Sequence, residues 1–388
     1  MADSVKLSAR TEHLRQASVL RTLTEQVSAF RDGINLGQGV CDLDMPAELT
    51  EATIASIRES RATYTPFAGV EPLRRQIAER MARRYGISYA LDEIVVTIGA
   101  SAALSSTFLT LLDPGDEVVL FEPFYPYHHS AALLAGARVT AIPEASEGGE
   151  PDWARLEQAL GDRARILVLN TPANPGGHVW TREQLNRLSR LLDGTDVQLV
   201  TDEIYEDLIY DGRTHVPPAS VPELYPRTIT VSGLGKAYSI TGWRLGWLAA
   251  PREIAAAIGP VFDTLCVCAP RPLQEGAARA LETIPEKYYA ELRDAYQHRR
   301  DRLVGALSAG GLQPRVPAGA YYMLADYRER YGEIPTRDAC FRLLDELHIA
   351  AIPGEIFYSG SSPCVLRFHF AVEEPVLAEV TRRFSKGL

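Results

Sequence analysis

The sequence predicts an α/β chain: a large domain with a mostly parallel mixed sheet between helices, joined to a smaller α+β domain. Three observations predict it. Short β-branched apolar runs alternate with helix-periodic segments from about residue 48, Pro and Gly punctuate the joints, and beyond about residue 285 the rhythm changes. A chain of 388 residues is longer than one small core requires.

The elements follow in order. Ala47 to Arg61 is helix-like, with Leu49, Ile54 and Ile57 spaced to share a face. Pro72 fits the first turn of the next helix, which runs to about Tyr85. Ile94 to Thr97 reads as a strand, and Ser101 to Leu112 as a helix stopped by Asp113-Pro114-Gly115. Glu117 to Phe121 is a strand, then comes a helix to about Ala135 and a strand from Arg138 to Ile142. Trp153 to Leu160 is a helix and Ile166 to Asn170 a strand. Thr181 is suited to cap a helix reaching Leu192, with Gln184 as its capping-box partner. Val197 to Asp202, Thr228 to Ser232 and Leu245 to Ala249 complete the strands.

A long polar helix over Lys287 to Ala309 opens the different C-terminal third. The division expected is 46–285 for the large domain, and 1–45 together with 286–388 for the small domain and an N-terminal arm. In such sheets ligands bind beyond the carboxyl ends of strands. Gly99, Asn170 to Asn174, Asp202 and Lys236 all fall there.

Composition narrows the function. Hydrophobic residues at 46% and charged residues at 23% are those of a globular protein, not a disordered one. A net charge of -10 argues against a nucleic-acid partner. Five scattered cysteines do not read as a disulfide framework, and Cys266 and Cys268 lack the second pair that a zinc site needs. No metal is expected. No apolar run approaches the ~20 residues that cross a bilayer. With no signal-peptide run in Met1 to Arg10, a cytoplasmic location is the expectation.

The strongest local signal is Ser232-Gly-Leu-Gly-Lys236, followed by Thr241-Gly-Trp-Arg244. It is not a nucleotide P-loop, because the spacing is wrong and Ala237 stands where a hydroxyl would hold magnesium. Asn170-Thr-Pro-Ala-Asn174 and Asp202-Glu-Ile-Tyr205 each end a predicted strand. Taken alone, Asp202 reads more readily as a helix cap or a surface acid than as a functional carboxylate. The ordered set Asn-x-Pro, Asp-x-x-Tyr, Gly-rich Lys and Gly-Trp-Arg is specific.

In that order the chain resembles the fold-type I, class I/II aminotransferases that depend on pyridoxal 5'-phosphate, in the branch of the kynurenine and aspartate enzymes. The resemblance runs from Asn35-Leu-Gly-Gln-Gly39 to Leu366-Arg367-Phe-His-Phe370. It implies that Lys236 holds the cofactor as a Schiff base and then moves the proton. Asp202 would pair with the pyridine nitrogen, and Tyr205 and Asn174 with the ring hydroxyl oxygen. Gly99, Ala100, Ser101, Ser232 and Arg244 would hold the phosphate, the first three at a helix start. Tyr125 would stack on the ring, with Phe124 and Tyr127 as packing. Tyr64 would reach the phosphate of a neighbouring subunit in a homodimer with shared sites. Arg367, with Asn174 and a backbone group at Gly39, would take the α-carboxylate of an amino acid or a 2-oxo acid.

Departures from the family pattern are visible. Gly233 and Gly235 stand where hydroxyl residues usually help hold the phosphate, so Ser232 is a candidate substitute. Cys41 replaces a common proline, and Asn174-Pro-Gly-Gly177 and Phe357-Tyr-Ser-Gly360 differ slightly from the usual forms. Transamination is the favoured outcome. The same scaffold also supports β-lyases, cyclases and oxidases, and more remotely a ligand sensor fused to a DNA-binding module. Arg271 is a candidate cation for a distal carboxylate, with a structural reading preferred. Tyr64, Phe67, Tyr125 and Tyr322 favour an aromatic or apolar substrate side chain.

Overall fold

The computed structural model describes residues 8, 11, 18–39, 41, 43–144, 150–360 and 362–386. Seven strands build its main sheet: β1 (Ile94–Ile98), β2 (Glu117–Phe121), β3 (Arg138–Ile142), β4 (Ala164–Asn170), β5 (Gln198–Asp202), β6 (Thr228–Gly233) and β7 (Leu245–Ala249). Their order is β1-β7-β6-β5-β4-β2-β3. The central strands are almost wholly buried and rich in Val, Ile and Leu, as strands covered on both faces must be.

The sheet is mixed because of one strand. β7 lies between β1 and β6 and runs antiparallel to both, while every other pairing is parallel. The link from Leu234 to Arg244 holds only a short turn around Thr241–Trp243, too little for a parallel crossover. Register then does positional work. Asn170 sits opposite Asp202, Asp202 opposite Val231, Gly233 opposite Gly246 and Ile98 opposite Leu245. The start of β7 therefore meets the ends of β1 and β6, and Arg244 arrives beside Gly99.

Most predicted elements recur within a residue or two. The Thr181 hydroxyl accepts from the backbone of Gln184, whose side chain accepts from the backbone N–H of Thr181, as a capping box requires. Two differences have physical causes. The helix expected from Ser101 begins at Gly99, because a φ of 70° at that glycine turns the chain from β1 straight into helix Gly99–Leu111. Helices Arg252–Cys266 and Arg271–Thr283 were not anticipated. Pro260 lies inside the first, and Pro270 and Pro272 open the second, so prolines are accommodated within or at the start of these helices.

A second sheet is formed by β8 (Gln313–Pro314), β9 (Tyr322–Asp326), β10 (Ile352–Pro353) and β11 (Val365–His369), ordered β10-β11-β9-β8 and antiparallel throughout. Its core gathers Leu23, Leu36, Tyr296, Leu303, Phe368 and Phe384, which joins the N-terminal segment to the C-terminal third. Ile34–Asn35 pairs in parallel with Ile349–Ala350, placing residues 35–39 against β11. Among the described residues no helix is long and apolar enough to cross a membrane. No group of three or more His, Cys, Asp or Glu among them is placed to hold a metal.

Candidate active site

The anion-binding end begins at Gly99. The first N–H groups of helix Gly99–Leu111 have no acceptor within the helix, so Gly99, Ala100 and Ser101 present donors at its positive end. A Cβ on Gly99 would lie 2.5 Å from Arg244 Nη2, so the guanidinium stands directly over this turn. Arg244 is held there by its own left-handed backbone, φ 55°, and by Nη1 donating to the Thr241 carbonyl at 3.1 Å. Gly246 packs so closely that its Cβ would come within 2.4 Å of the Gly99 carbonyl carbon.

The same crowding accounts for one departure in the sequence. A Cβ at Gly233 would meet the Leu245 carbonyl oxygen at 2.8 Å, so a hydroxyl side chain has no room there. At Gly235 the nearest such contact is an ordinary 3.4 Å. Ser232 does not serve as the substitute considered above. It is fully buried and its hydroxyl is directed at the Glu203 carbonyl, 3.4 Å away, a structural position beneath the turn.

Asp202 ends β5 with a buried carboxylate. His128 Nε2 lies 2.8 Å from Oδ2, and the Ile204 N–H donates to Oδ1 at 3.3 Å. Asn170 donates to the Asp202 carbonyl, and the Asn174 N–H donates to the Asn170 side chain. Sequence reasoning missed His128, the first of two adjacent histidines on helix Pro126–Leu134. The available signal was that its helix begins directly after Tyr125, against whose ring the imidazole packs edge-on at 5.4 Å.

Lys236 points into a nest of phenols. Its Nζ donates to Tyr321 Oη at 2.8 Å and lies 5.9 Å from the Tyr205 ring centroid. Burial pushes the Tyr205 hydroxyl well above its ordinary pKa, reinforced by Tyr322, Tyr125 and the Asp202 charge. Tyr125 is half-buried and shifted upward too, again chiefly by burial.

Arg367 is buried on β11. Nη1 donates to Asn174 Oδ1 at 3.0 Å and Nη2 to the Gly37 carbonyl at 2.7 Å, while Nε finds no hydrogen-bond partner among the described residues. The guanidinium stacks over Tyr322 at 4.3 Å and Phe357 at 5.0 Å. A Cβ at Gly39 would fall 1.9 Å from the Tyr322 hydroxyl, so a larger residue there would have to displace that phenol. The backbone group that touches Arg367 is at Gly37, whereas the Gly39 carbonyl accepts from Tyr321 at 3.1 Å.

His369 pins this loop. Its N–H donates to the Leu36 carbonyl at 2.8 Å, and Nε2 lies 3.0 Å from the Asn35 carbonyl. Burial, with Arg367 and Lys236 nearby, holds its pKa down to about 3 despite the favourable Asn35 bond. The unfolded chain takes up that proton near the ordinary value of 6.5, so folding stability falls as pH drops from there toward 3. The loss is about 1.4 kcal/mol per pH unit. His369→Gln removes this dependence, and urea unfolding of both proteins between pH 7 and 5 should show a shallower pH slope in the variant.

Tyr64 stands apart from these groups, 78% exposed. Arg271 holds its backbone: Nη2 donates to the Tyr64 carbonyl at 2.6 Å, Nε to the Thr63 carbonyl at 3.0 Å, and Nη1 to Glu275 at 3.2 Å. Those bonds give Arg271 a structural role and not that of a distal carboxylate receptor.

Comparison with known proteins gives a consistent result. Residues 31–384 match the family described as aminotransferase class I and II. An aspartate aminotransferase of Rhizobium meliloti is 33% identical, over 97% of this chain and 95% of that one. A solved Escherichia coli structure, reported to have a methionine aminotransferase function, superposes with a TM-score of 0.93 at 30% identity, covering 99% of this chain and all of its own. The N-succinyldiaminopimelate aminotransferase of Mycobacterium tuberculosis gives 0.92 at 32% identity, over 98% and 99% of the two chains.

Proposed function

The chain belongs to the class I and II aminotransferases, enzymes that move amino groups with pyridoxal 5'-phosphate, and on that premise we propose that Lys236 is the amine that carries the cofactor and the proton. The observation that carries this reading is a loop with two neighbouring anchors. Lys236 reaches the Gly39 carbonyl through Tyr321, and Arg367 is bonded to the Gly37 carbonyl. A reactive amine and a carboxylate receptor thus share one short segment.

The residues present fit the cofactor. Gly99 leaves a cradle beneath Arg244 that a Cβ would fill, and Gly99, Ala100 and Ser101 with Arg244 would hold the phosphate. Asp202, braced by His128, would hold the ring nitrogen protonated. Tyr205 and Asn174 would donate to the ring oxygen, and Tyr125 would cover the ring face. When bound, the cofactor supplies a conjugated ring that draws electrons from the substrate Cα.

The chain's own groups do the rest. Arg367 takes the α-carboxylate of an L-amino acid or 2-oxo acid in a charge-assisted fork, exchanging Asn174 and the Gly37 carbonyl for it. That fixes the Cα–H bond relative to Lys236, whose Nζ holds the proton removed from Cα. Burial by Tyr205, Tyr321 and Tyr322 limits water near that nitrogen. The rings of Tyr322 and Phe357 against Arg367 support an apolar or aromatic substrate side chain.

The division of labour follows: residues 46–285 hold the cofactor, and 1–45 with 286–388 close over the substrate. The core around the second sheet supports it: it is drawn chiefly from residues 23–41 and 296–384, with Tyr205, Leu208 and Tyr210 reaching in from the large domain. A homodimer is part of this reading. Tyr64, Phe67, Leu265 and Val267 expose apolar surface, with Phe67 packed against the helix of Gly259, and Tyr64 would reach the partner's phosphate site. A reducing cytoplasmic location is supported by five unpaired cysteines.

The experiment is a panel of amino donors mixed with the cofactor-loaded protein. A lasting shift of the visible band together with formation of the matching 2-oxo acid is expected, strongest with uncharged side chains. Release of ammonia without that lasting shift would mean a lyase instead.

A further inference from the structure

No sequence motif singled out Tyr321, yet its hydroxyl is the group that Lys236 meets. Lys236 Nζ donates to Tyr321 Oη at 2.8 Å, and Tyr321 Oη donates to the Gly39 carbonyl at 3.1 Å. A phenol has one proton and two acceptor lone pairs. With its proton committed to Gly39, the oxygen presents only lone pairs to the lysine. We propose that Tyr321 is a positioning residue for Lys236, holding its side-chain nitrogen by an oriented acceptor whenever that nitrogen is not joined to the cofactor.

The surroundings give the phenol this role and no other charge state. Tyr321 is fully buried. Its ring is edge-on to Tyr205 at 5.2 Å, stacked with Tyr296 at 6.0 Å and tilted against Tyr322 at 4.7 Å. Burial, with Tyr205, Tyr322, Cys41 and Tyr296 nearby, pushes its ionisation well upward, so the hydroxyl keeps its proton. The other titratable neighbour is His369, neutral for the reasons given above and 6.4 Å away between ring centroids. Freed from the cofactor, the lysine would otherwise sample several rotamers. A fixed acceptor confines it to one, and the loop that orients that acceptor is the loop bonded to Arg367.

The inference rests on Lys236 being the reactive amine, and Tyr321→Phe tests it separately. The ring, and its packing, stay; only the oxygen is lost. With that oriented acceptor gone, kcat should fall roughly tenfold or more. KM for the amino acid should stay within about twofold, because Arg367 is untouched. A second readout needs no cofactor. Cofactor-free protein is treated with cyanate, and carbamoylation of Lys236 is followed by peptide mass. We expect at least about threefold faster labelling in the variant, since the nitrogen has lost the oxygen that holds it. Equal labelling rates in the two proteins, or an unchanged kcat, would overturn the role of Tyr321. If wild-type protein shows no lysine-bound cofactor after borohydride, it is the assignment of Lys236 that fails, a result independent of the labelling comparison.

Discussion

Lys236→Ala should leave a folded protein that binds pyridoxal phosphate weakly, shows no lysine-bound visible band, and turns over at least about 10⁴-fold more slowly. The size follows from two losses at one atom. Covalent attachment at Nζ disappears, and so does the base that carries the Cα proton. Among the described residues, the phenols of Tyr205 and Tyr321 lie around Nζ, both held protonated by burial and so poor bases. Steady-state rates and the absorbance spectrum check this together. A normal melting temperature would show that the loss is chemical.

Arg80→Ala should have the largest effect on stability, a loss of about 3–5 kcal/mol in urea unfolding. Arg80 is buried and donates to Asp207 at 2.7 Å and to Glu206 at 3.4 Å. Arg84 shares Asp207 at 2.5 Å, Tyr85 donates to Glu206 at 2.8 Å, and the Arg80 guanidinium lies 5.0 Å from the Tyr289 ring centroid. Removing one arginine strands buried carboxylates. Burial alone would raise the Asp207 pKa, but Arg80 and Arg84 outweigh it and hold it below the usual range. The unfolded chain takes up this proton at higher pH than the folded one, so the pair's contribution is present above about pH 4 and lost as acid protonates the folded Asp207. The gap between wild type and variant should narrow in that range. Activity should fall as well, because Asp202, Glu203, Glu206 and Asp207 form one buried run that carries Tyr205. Glu203 in that run is tied to Thr201 and His215 at 2.7 and 2.5 Å.

Much of this was legible in the sequence, for reasons that differ by element. The capping box at Thr181 and Gln184 is a local device, and local devices leave local patterns. Strand ends were visible because a fully buried strand is a plain apolar run, and chemistry collects where such runs stop. The antiparallel insertion of β7 was not legible, because strand partners are set by connection length and packing across the sheet. Helices Arg252–Cys266 and Arg271–Thr283 were obscured by prolines that helices tolerate at their starts or against neighbours.

The site followed the same division. Groups that would meet the cofactor sit in motifs, so Lys236, Asp202 and Arg244 could be named from the chain. Groups that hold those residues come from distant segments. His128 reaches Asp202 across 74 positions and Tyr321 reaches Lys236 across 85. Neither has a spacing that announces it. Ser232 shows the opposite error: a hydroxyl close to the lysine in sequence is turned away into the core by strand alternation.

Borohydride reduction of the protein after incubation with pyridoxal phosphate, followed by peptide mass mapping, tests the assignment most directly. The cofactor's mass should appear on the peptide containing residue 236, at the lysine, and on no other peptide. An adduct confined to another lysine, or a protein that stays colourless and unmodified, would contradict it.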